Sequence, residues 1–287
     1  AGECDLNQSG KITLEGDLHL ASNATIPNGC IIDGQGKTVF LDGNLSVPAP
    51  TWIEFASNTV LDGQGHEIVL KNGNPGGQLY INGPAGTKVT LRNMTIRGVR
   101  SFEDGTQAIS FGENENQTLV LENVKIQLAD EFFFLGGKLE IKNHVEINGF
   151  YQPAYRPDLQ PMLFYYLSAD DLSILADSTL VLDMTIGFIY QPFDTSNSHF
   201  VFKDYSSRLF LNGCAFFVPG DTGLKMTKGH IVVDHRAFLQ SDGVVDGMVP
   251  IELGGRLRKA SEDVIIDILP GAKLELSEAL VQYQNQK

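Results

Sequence analysis

A short unit of sequence is written twice near the start of this chain, and that repeat restricts the folds open to it. Ile31–Leu41 reads as a strand, an Asp-Gly-Gln-Gly turn and a second strand, and Val60–Leu70 repeats the same order 29 residues later. A repeat with a period of about 20–50 residues indicates stacked units that bury their apolar faces only against each other. Two unrelated hairpins with similar turns are the alternative, because Asp-Gly is a common hairpin signal.

A second motif, strand–Asn–strand, follows the first and favours stacked units over two chance hairpins. Its three copies are Val89–Ile96, Leu119–Ile126 and Leu139–Ile147. Each copy places one asparagine between its strands: Asn93, Asn123 and Asn143. Asparagine tolerates the left-handed conformation of a sharp turn, so the three side chains would stack from coil to coil at about 4.8 Å. We expect Asp33 and Asp62 to stack in the same way at the turns of neighbouring coils.

The strand pattern continues along most of the chain, and we predict one all-β domain over 1–287. Lys11–Leu20 alternates apolar and polar residues, as a half-buried strand does. The stretch from about 150–168 breaks the pattern with prolines and tyrosines. Because proline lacks the N–H that a central strand donates, we expect a side loop there.

Charge and composition exclude some partners. The net charge is −14, which argues against nucleic acid, because phosphate binding needs clustered lysine and arginine. No run of 18 apolar residues occurs, so no membrane-spanning helix is expected. The first residues, Ala1-Gly2-Glu3-Cys4, resemble the product of signal-peptide removal, and a start chosen for expression is the alternative. We therefore expect a secreted, extracellular or cell-surface protein.

The sequence predicts no metal site and no cofactor. The six histidines are scattered without metal-ligand spacing, and no EF-hand loop is present. The three cysteines, Cys4, Cys30 and Cys214, exclude a fully paired framework by their odd number. Cys4 and Cys30 would pair if the first coil returns beside the N-terminus, and three buried thiols are the alternative.

The two motifs together resemble the right-handed parallel β-helices of the pectin-lyase-like superfamily. The resemblance covers about Lys11–Leu276 at the level of coil pattern. It implies a single right-handed parallel β-helix, that is, a β-solenoid of roughly ten coils. It does not fix an activity, because one scaffold hosts many functions. The superfamily includes pectate and pectin lyases, polygalacturonase-like hydrolases, phage tailspikes, adhesins and noncatalytic surface proteins.

The catalytic pattern of polygalacturonase-like enzymes is matched only in part. Those enzymes carry Asn-Thr-Asp, Asp-Asp, Gly-His-Gly and Arg-x-Lys in this order. The residues at comparable places here are Asp170, Asp171, His230 and Arg258. Asn-Thr-Asp is absent, Ile231 replaces the second glycine, and no clean Arg-x-Lys is present. A polar turn explains Asp170-Asp171 equally well, and the same is true of the lyase-like Asp234-His235-Arg236, which has no carboxylate cluster beside it to hold calcium.

The sequence therefore favours a secreted, noncatalytic β-solenoid with a structural or surface role. End coils expose unpaired strand edges, so end-to-end assembly of identical copies into a fibre is one form of that role. The alternatives are a polysaccharide-active enzyme, either a glycoside hydrolase or a lyase, and a carbohydrate-binding or adhesion module. A binding module would use exposed aromatic rings as platforms for sugars, and the candidates are Trp52, Tyr151, Tyr155 and Tyr165.

Overall fold

The structure, a computed structural model, describes residues 10–20, 29–149, 161–218, 224–240, 249–256, 264–277 and 279–286. Every regular element in these ranges is a β-strand, and the strand pairs are parallel. No helix with the length and apolar character that a membrane span requires occurs among the described residues. The chain divides into two compact units, Ala1–Leu139 and Glu140–Lys287.

The described residues of the first unit form thirteen strands, most of them short. They are β1 Lys11–Thr13, β2 Leu18–Leu20, β3 Cys30–Asp33, β4 Thr38–Leu41, β5 Leu45–Val47, β6 Trp52–Phe55, β7 Thr59–Asp62, β8 Glu67–Leu70, β9 Gln78–Ile81, β10 Lys88–Val99, β11 Ile109–Phe111, β12 Thr118–Leu128 and β13 Phe132–Phe134. Lys11–Leu20, predicted as one strand, is two strands separated at Glu15-Gly16, so that prediction was wrong in detail. Glycine disfavours a strand interior, which explains the break.

In the first unit, successive coils add one strand each to the same sheets, in chain order. One sheet has the order β1-β3-β6-β9-β11, and a second contains β2-β4-β7-β10-β12. β8 pairs with the second half of β10, and β5 pairs with the other edge of β8, so a coil crosses three strand positions. Val39 pairs with Leu61, and Leu61 with Leu91, which places buried aliphatic side chains one above the other. This is a parallel β-solenoid, as predicted.

The second unit is built in the same way. Its strands are β14 Lys138–Gly149, β15 Met162–Tyr166, β16 Leu172–Ile174, β17 Thr179–Asp183, β18 Ile186–Tyr190, β19 Phe200–Phe202, β20 Arg208–Asn212, β21 Ala215–Phe217, β22 Leu224–Met226, β23 Gly229–Asp234, β24 Arg236–Gln240, β25 Val249–Arg256, β26 Val264–Ile268, β27 Lys273–Ser277 and β28 Ala279–Gln286. They form the parallel orders β14-β17-β20-β23-β26, β15-β18-β21-β24-β27, β16-β19 and β22-β25-β28. Each unit thus has five strands along its longest order, in line with roughly ten coils. The right-handed sense of the coil and the single-domain organisation stay predictions.

Alternation of side chains explains how these short strands form a core. In β9, Leu79 and Ile81 are buried while Gln78 and Tyr80 are half-buried on the other face, the period of two that strands impose. The second unit fills its core with aromatic rings, in which Phe188 stacks on Phe164 at 5.3 Å and on Phe216 at 5.2 Å between centroids. Identical residue types therefore occupy equivalent positions in successive coils.

The predicted side loop is only partly supported. Residues 150–160 lie outside the described residues, but Met162–Tyr166 is strand β15, so the loop prediction was wrong for this segment. The last proline of the stretch is Pro161, and the aromatic residues after it favour a strand. β15 pairs with β18 along its whole length.

The cysteines differ in state. Cys30 is fully buried and disulfide-bonded. Cys214 is a free, buried thiol, and burial raises its pKa to about 12, so it stays protonated at neutral pH. Cys4, the predicted partner of Cys30, lies outside the described residues.

Candidate functional site

A groove opens on the outer face of the sheet β1-β3-β6-β9-β11 in the first unit. Its volume is about 460 Å³, within the range of about 300–1,000 Å³ that small-molecule sites occupy. The described residues that line it are Trp52, Glu54, Gln78, Tyr80, Gly105, Thr106, Gln107, Ser110 and Leu135. The strand positions among them are the outward residues of β6, β9 and β11, because alternation turns their neighbours into the core.

Strand pairing brings the polar and aromatic groups of the groove together. Trp52 lies opposite Gln78, and Glu54 lies opposite Tyr80 on the next strand. Ser110 lies on the far side of Tyr80. Neighbouring strands are about 4.8 Å apart, so the groove floor alternates an aromatic ring with hydrogen-bonding groups in both directions.

Trp52 offers an open aromatic surface. It is 40% exposed, whereas many of the described phenylalanines and tyrosines, such as Phe55 and Tyr166, are fully buried. The ring lies against the backbone of Gly29, where an added Cβ would come within 2.5 Å of the indole. Leu135, 47% exposed, adds a second apolar surface to the groove. The predicted binding residue Trp52 therefore lies in a groove, and glycine at position 29 leaves room for its ring.

Electrostatics in the groove are negative. Burial raises the pKa of the Tyr80 hydroxyl, and the charges of Glu54 and Glu113 raise it further. Glu54 is half-buried and accepts a hydrogen bond from Asn82 Nδ2 at 3.4 Å. Among the described lining residues, none is lysine or arginine. The groove can thus stack an apolar ring face and accept hydrogen bonds, but it offers no cation to an acidic ligand.

A second polar cluster lies in the second unit, around His199. The ring donates from Nδ1 to Asp171 Oδ1 and from Nε2 to Asp194 Oδ2, each at 2.8 Å. The backbone N–H of His199 donates to the Tyr190 hydroxyl at 2.6 Å. Both ring nitrogens face carboxylate oxygens, an arrangement that favours the doubly protonated, positively charged form of the imidazole. The cluster therefore joins the segment before β19 to the start of β16.

The pKa values of this cluster agree with its geometry. Burial lowers the pKa of His199, but the hydrogen bonds and charges of Asp171 and Asp194 outweigh it, and the net pKa is raised. The hydroxyl and backbone N–H of Ser196, together with His199, lower the pKa of Asp194 to about 2. Both ring nitrogens and the backbone N–H of His199 bind other groups of the cluster, which favours a structural role.

We expect the His199 cluster to make stability depend on pH. A raised histidine pKa contributes stability that is complete below the unfolded value of about 6.5 and is lost as the pH rises through the folded value. The free energy of unfolding of the wild type should therefore fall between mildly acidic and alkaline pH, with a slope that corresponds to about one proton. Replacing His199 by Gln should remove this slope. Urea unfolding across that range measures it. The exposed His144, changed to Gln, is the matched control, and an unchanged slope in His199→Gln would show that the ring is not charged as described.

The four catalytic candidates are not brought together by the described contacts. Asp171 binds His199, and the backbone carbonyl of Asp170 accepts a hydrogen bond from the Tyr166 hydroxyl. His230 lies in β23 opposite Arg208, and its Nε2 is buried without a partner among the described residues. Arg258 lies outside the described residues. No cluster of three or more His, Cys, Asp or Glu suited to a metal occurs within the described ranges.

The predicted stack of Asp33 on Asp62 was wrong. Thr38 of β4 pairs with Val60 of β7, so the second strand of the first repeat copy lies beside the first strand of the second copy. The two Asp-Gly-Gln-Gly turns therefore occupy different corners of the coil. Asp33 accepts a hydrogen bond from the Ser57 hydroxyl at 2.6 Å instead. The second glycine of each turn has a positive φ, and such a turn fits at either corner of the coil. The distance between the two copies therefore does not equal the length of one coil.

The asparagine ladder is present in part, with Asp62 as an added member. Asn93 Nδ2 donates to Asp62 Oδ1 at 3.3 Å, and Asn123 Nδ2 donates to Asn93 Oδ1 at 3.4 Å. Asn93, Asn123 and Asn143 have φ of 56°, 54° and 60°, the left-handed turn that was expected. The backbone N–H of Asn143 donates to the Ser178 hydroxyl. Because Asn123 and Asn143 are exposed, the ladder serves the turn geometry more than the core.

The other proposed binding tyrosines are not part of the groove. Tyr165 is half-buried in β15 and pairs with Ile189. Tyr151 and Tyr155 lie outside the described residues. Sequence reasoning missed Tyr80, Glu54 and Leu135, although the alternation in Gln78–Ile81 already indicated that Tyr80 and a neighbour share one face.

Comparisons with protein-family models, with curated proteins and with solved structures found no match to this chain.

Proposed function

We propose that this protein is a secreted, noncatalytic β-solenoid with a surface role, related in its coil pattern to the pectin-lyase-like superfamily. We further propose that it binds glycans in the groove lined by Trp52, Glu54 and Tyr80, called the Trp52 groove below. The observation that carries the proposal is the exposed indole of Trp52 beside Tyr80 and a row of hydrogen-bonding groups. Aromatic faces take up the C–H faces of sugar rings, and amides, hydroxyls and a carboxylate bind sugar hydroxyls.

The composition of the groove supports binding over hydrolysis. Glycoside hydrolysis ordinarily uses two carboxylates about 5–10 Å apart. The described groove lining contains one carboxylate, Glu54. The Asp171–His199–Asp194 cluster lies in the other unit and is fully engaged by its own contacts. Adhesion to a glycan needs binding without turnover, which this groove chemistry suits.

Replacing Trp52 by Ala should weaken glycan binding by roughly 5- to 150-fold, because a stacking aromatic contributes on the order of 1–3 kcal/mol by such substitutions. Calorimetric titration with soluble glycan oligomers measures the loss. Tyr205, 65% exposed outside the groove, is the matched control when changed to Ala. Gly29→Ala keeps the indole but displaces it, and should reduce binding as well. Equal affinity in wild type and Trp52→Ala would contradict the proposal.

End-to-end assembly is a second proposed role, and the last strand of the longest order favours it. Ile266 and Ile268 of β26 pair with Ile231 and Val233, which are buried core residues. Ile268 itself is 49% exposed, so a core-facing position lies open at the end of the sheet. A further strand from a second copy would cover it and extend the parallel ladder.

The leucines of the first strands in the first unit are less exposed than an open end coil would leave them. Leu14 is 6% and Leu20 1% exposed, while Leu18 is half-buried. If copies nevertheless stack, Ile268→Lys should abolish large species seen by light scattering at high concentration while leaving the unfolding free energy within about 1 kcal/mol. The exposed Met184, changed to Lys, is the control. A wild-type protein that stays monomeric would exclude assembly.

A further inference from the structure

We infer that the ligand of the Trp52 groove is a glycan with free amino groups, a glucosamine-type polymer, and not an acidic polysaccharide. This inference rests on the proposed glycan-binding function and adds the chemical class of the sugar. It is carried by the position of Glu54, which lies between two aromatic residues on the groove floor. Trp52 precedes it by two residues on β6, and Tyr80 is its partner on β9.

The charge environment of the groove excludes acidic sugars. Glu54 is the carboxylate of the lining, and among the described lining residues no lysine or arginine neutralises it. Tyr80 responds to the charges of Glu54 and of Glu113 in the loop after β11. A uronate placed here would meet like charges without a cation to pair with. The net charge of −14 also repels an anionic polymer from the protein as a whole.

The same features suit an ammonium group. A cation over the face of tryptophan or tyrosine is attracted by the negative ring face. A carboxylate two positions along the strand, about 6.6 Å from the residue that carries the indole, can bind the same ammonium or the next one along the polymer. The C–H face of an amino sugar meanwhile covers Trp52 and Leu135, both of which are exposed. Gln78 and Ser110 remain for the sugar hydroxyls, and the Thr106 hydroxyl, which donates to Asp104 Oδ1, can still accept a hydrogen bond.

Hydrogen bonds of Gln107 fix the wall of the groove. Gln107, 4% exposed, accepts a hydrogen bond from Phe133 N at 3.0 Å and donates to the Ser101 hydroxyl at 2.9 Å. The first bond attaches the loop that carries Gly105 and Thr106 to the next coil, and the second closes the loop on its own start at Ser101. The groove wall is therefore in place before a ligand binds, which lowers the entropic cost of binding.

The test compares three hexamers on the same protein in mildly acidic buffer at physiological salt. These are the glucosamine oligomer, its fully N-acetylated form, and a galacturonate oligomer. Two modest interactions, one cation–π contact and one exposed ion pair, predict about a tenfold preference for the free amine over the acetylated form. The galacturonate oligomer should bind weakest. The preference should vanish at alkaline pH, where the sugar amine is neutral.

Two variants distinguish specific recognition of the amine from non-specific charge attraction, and distinguish a failure of this inference from a failure of the proposed function. Glu54→Gln should remove the preference for the amine while keeping binding of the acetylated oligomer, and Glu15→Gln, at an exposed position outside the groove, should change neither. Equal affinity for amine and acetylated oligomers, or an unchanged preference in Glu54→Gln, would overturn the amino-sugar inference and leave glycan binding intact. Failure of all three oligomers to bind would overturn the glycan function and this inference with it.

Discussion

Replacing Phe188 by Ala should lower the free energy of unfolding by about 3–5 kcal/mol, a large effect for one substitution. The ring is fully buried in the second unit and lies between Phe164 and Phe216, with the edge of Phe200 at 6.2 Å. Truncation removes the contacts of one ring with three others and leaves a cavity that stacked coils cannot easily close. The aromatic pairs add to the loss, because each such contact is favourable beyond the area that it buries.

Equilibrium unfolding in guanidinium, followed by circular dichroism, measures the Phe188 effect. Phe193, 66% exposed in the same unit, is the matched control, and Phe193→Ala should change stability by no more than about 0.5 kcal/mol. Phe188→Leu should recover part of the loss by refilling the space. A loss below about 1 kcal/mol in Phe188→Ala would mean that the aromatic stack is not a packed core.

Gly98→Ala should destabilise the first unit by roughly 2–5 kcal/mol, from two causes that add. Gly98 has φ of +82° at a register shift in β10, between Arg97 and Val99. A side chain there meets the cost of the left-handed backbone, and its Cβ would lie 2.1 Å from the carbonyl oxygen of Leu70. That oxygen belongs to the backbone of β8, which cannot turn aside as a side chain can.

Gly86→Ala isolates the first of these causes. Gly86 has φ of +85°, and nothing lies within 4 Å of an added Cβ. It should cost only the backbone term of about 1–2 kcal/mol. Thermal and urea unfolding of the two variants give the difference. If Gly98→Ala is no worse than Gly86→Ala, β8 and β10 are not as close as the structure places them.

The sequence identifies the architecture because a solenoid repeats its local rules. The alternation in Gln78–Ile81 and the strand–Asn–strand units each follow from one coil, and stacking then copies them. The turn at Asn93 and Asn123 could be predicted since asparagine is among the few residues that adopt positive φ readily. These features need only the residues next to each other in the chain.

The groove could not be predicted in the same way. Tyr80 meets Glu54 only because β6 and β9 pair in a particular register, and the spacing between coils varies along the chain. Between Val39 and Leu61 it is 22 residues, whereas between Leu61 and Leu91 it is 30. The spacing of 29 residues between Asp33 and Asp62 matches neither of these coil spacings. It therefore led to the wrong prediction that the two aspartate side chains stack. His199 likewise follows an irregular segment whose path no periodicity fixes.

Trp52 is the single tryptophan of the chain, and its indole therefore reports directly on the proposed site. The decisive measurement follows the one indole N–H signal in a ¹H–¹⁵N NMR spectrum during titration with glucosamine oligomer, with the oligomer length checked afterwards by mass spectrometry. We predict that the indole signal shifts in a saturable way, that Glu54→Gln weakens the shift, and that the oligomer remains intact. An indole signal that stays unchanged while the oligomer binds elsewhere, or an oligomer that is shortened, would contradict a noncatalytic glycan-binding groove.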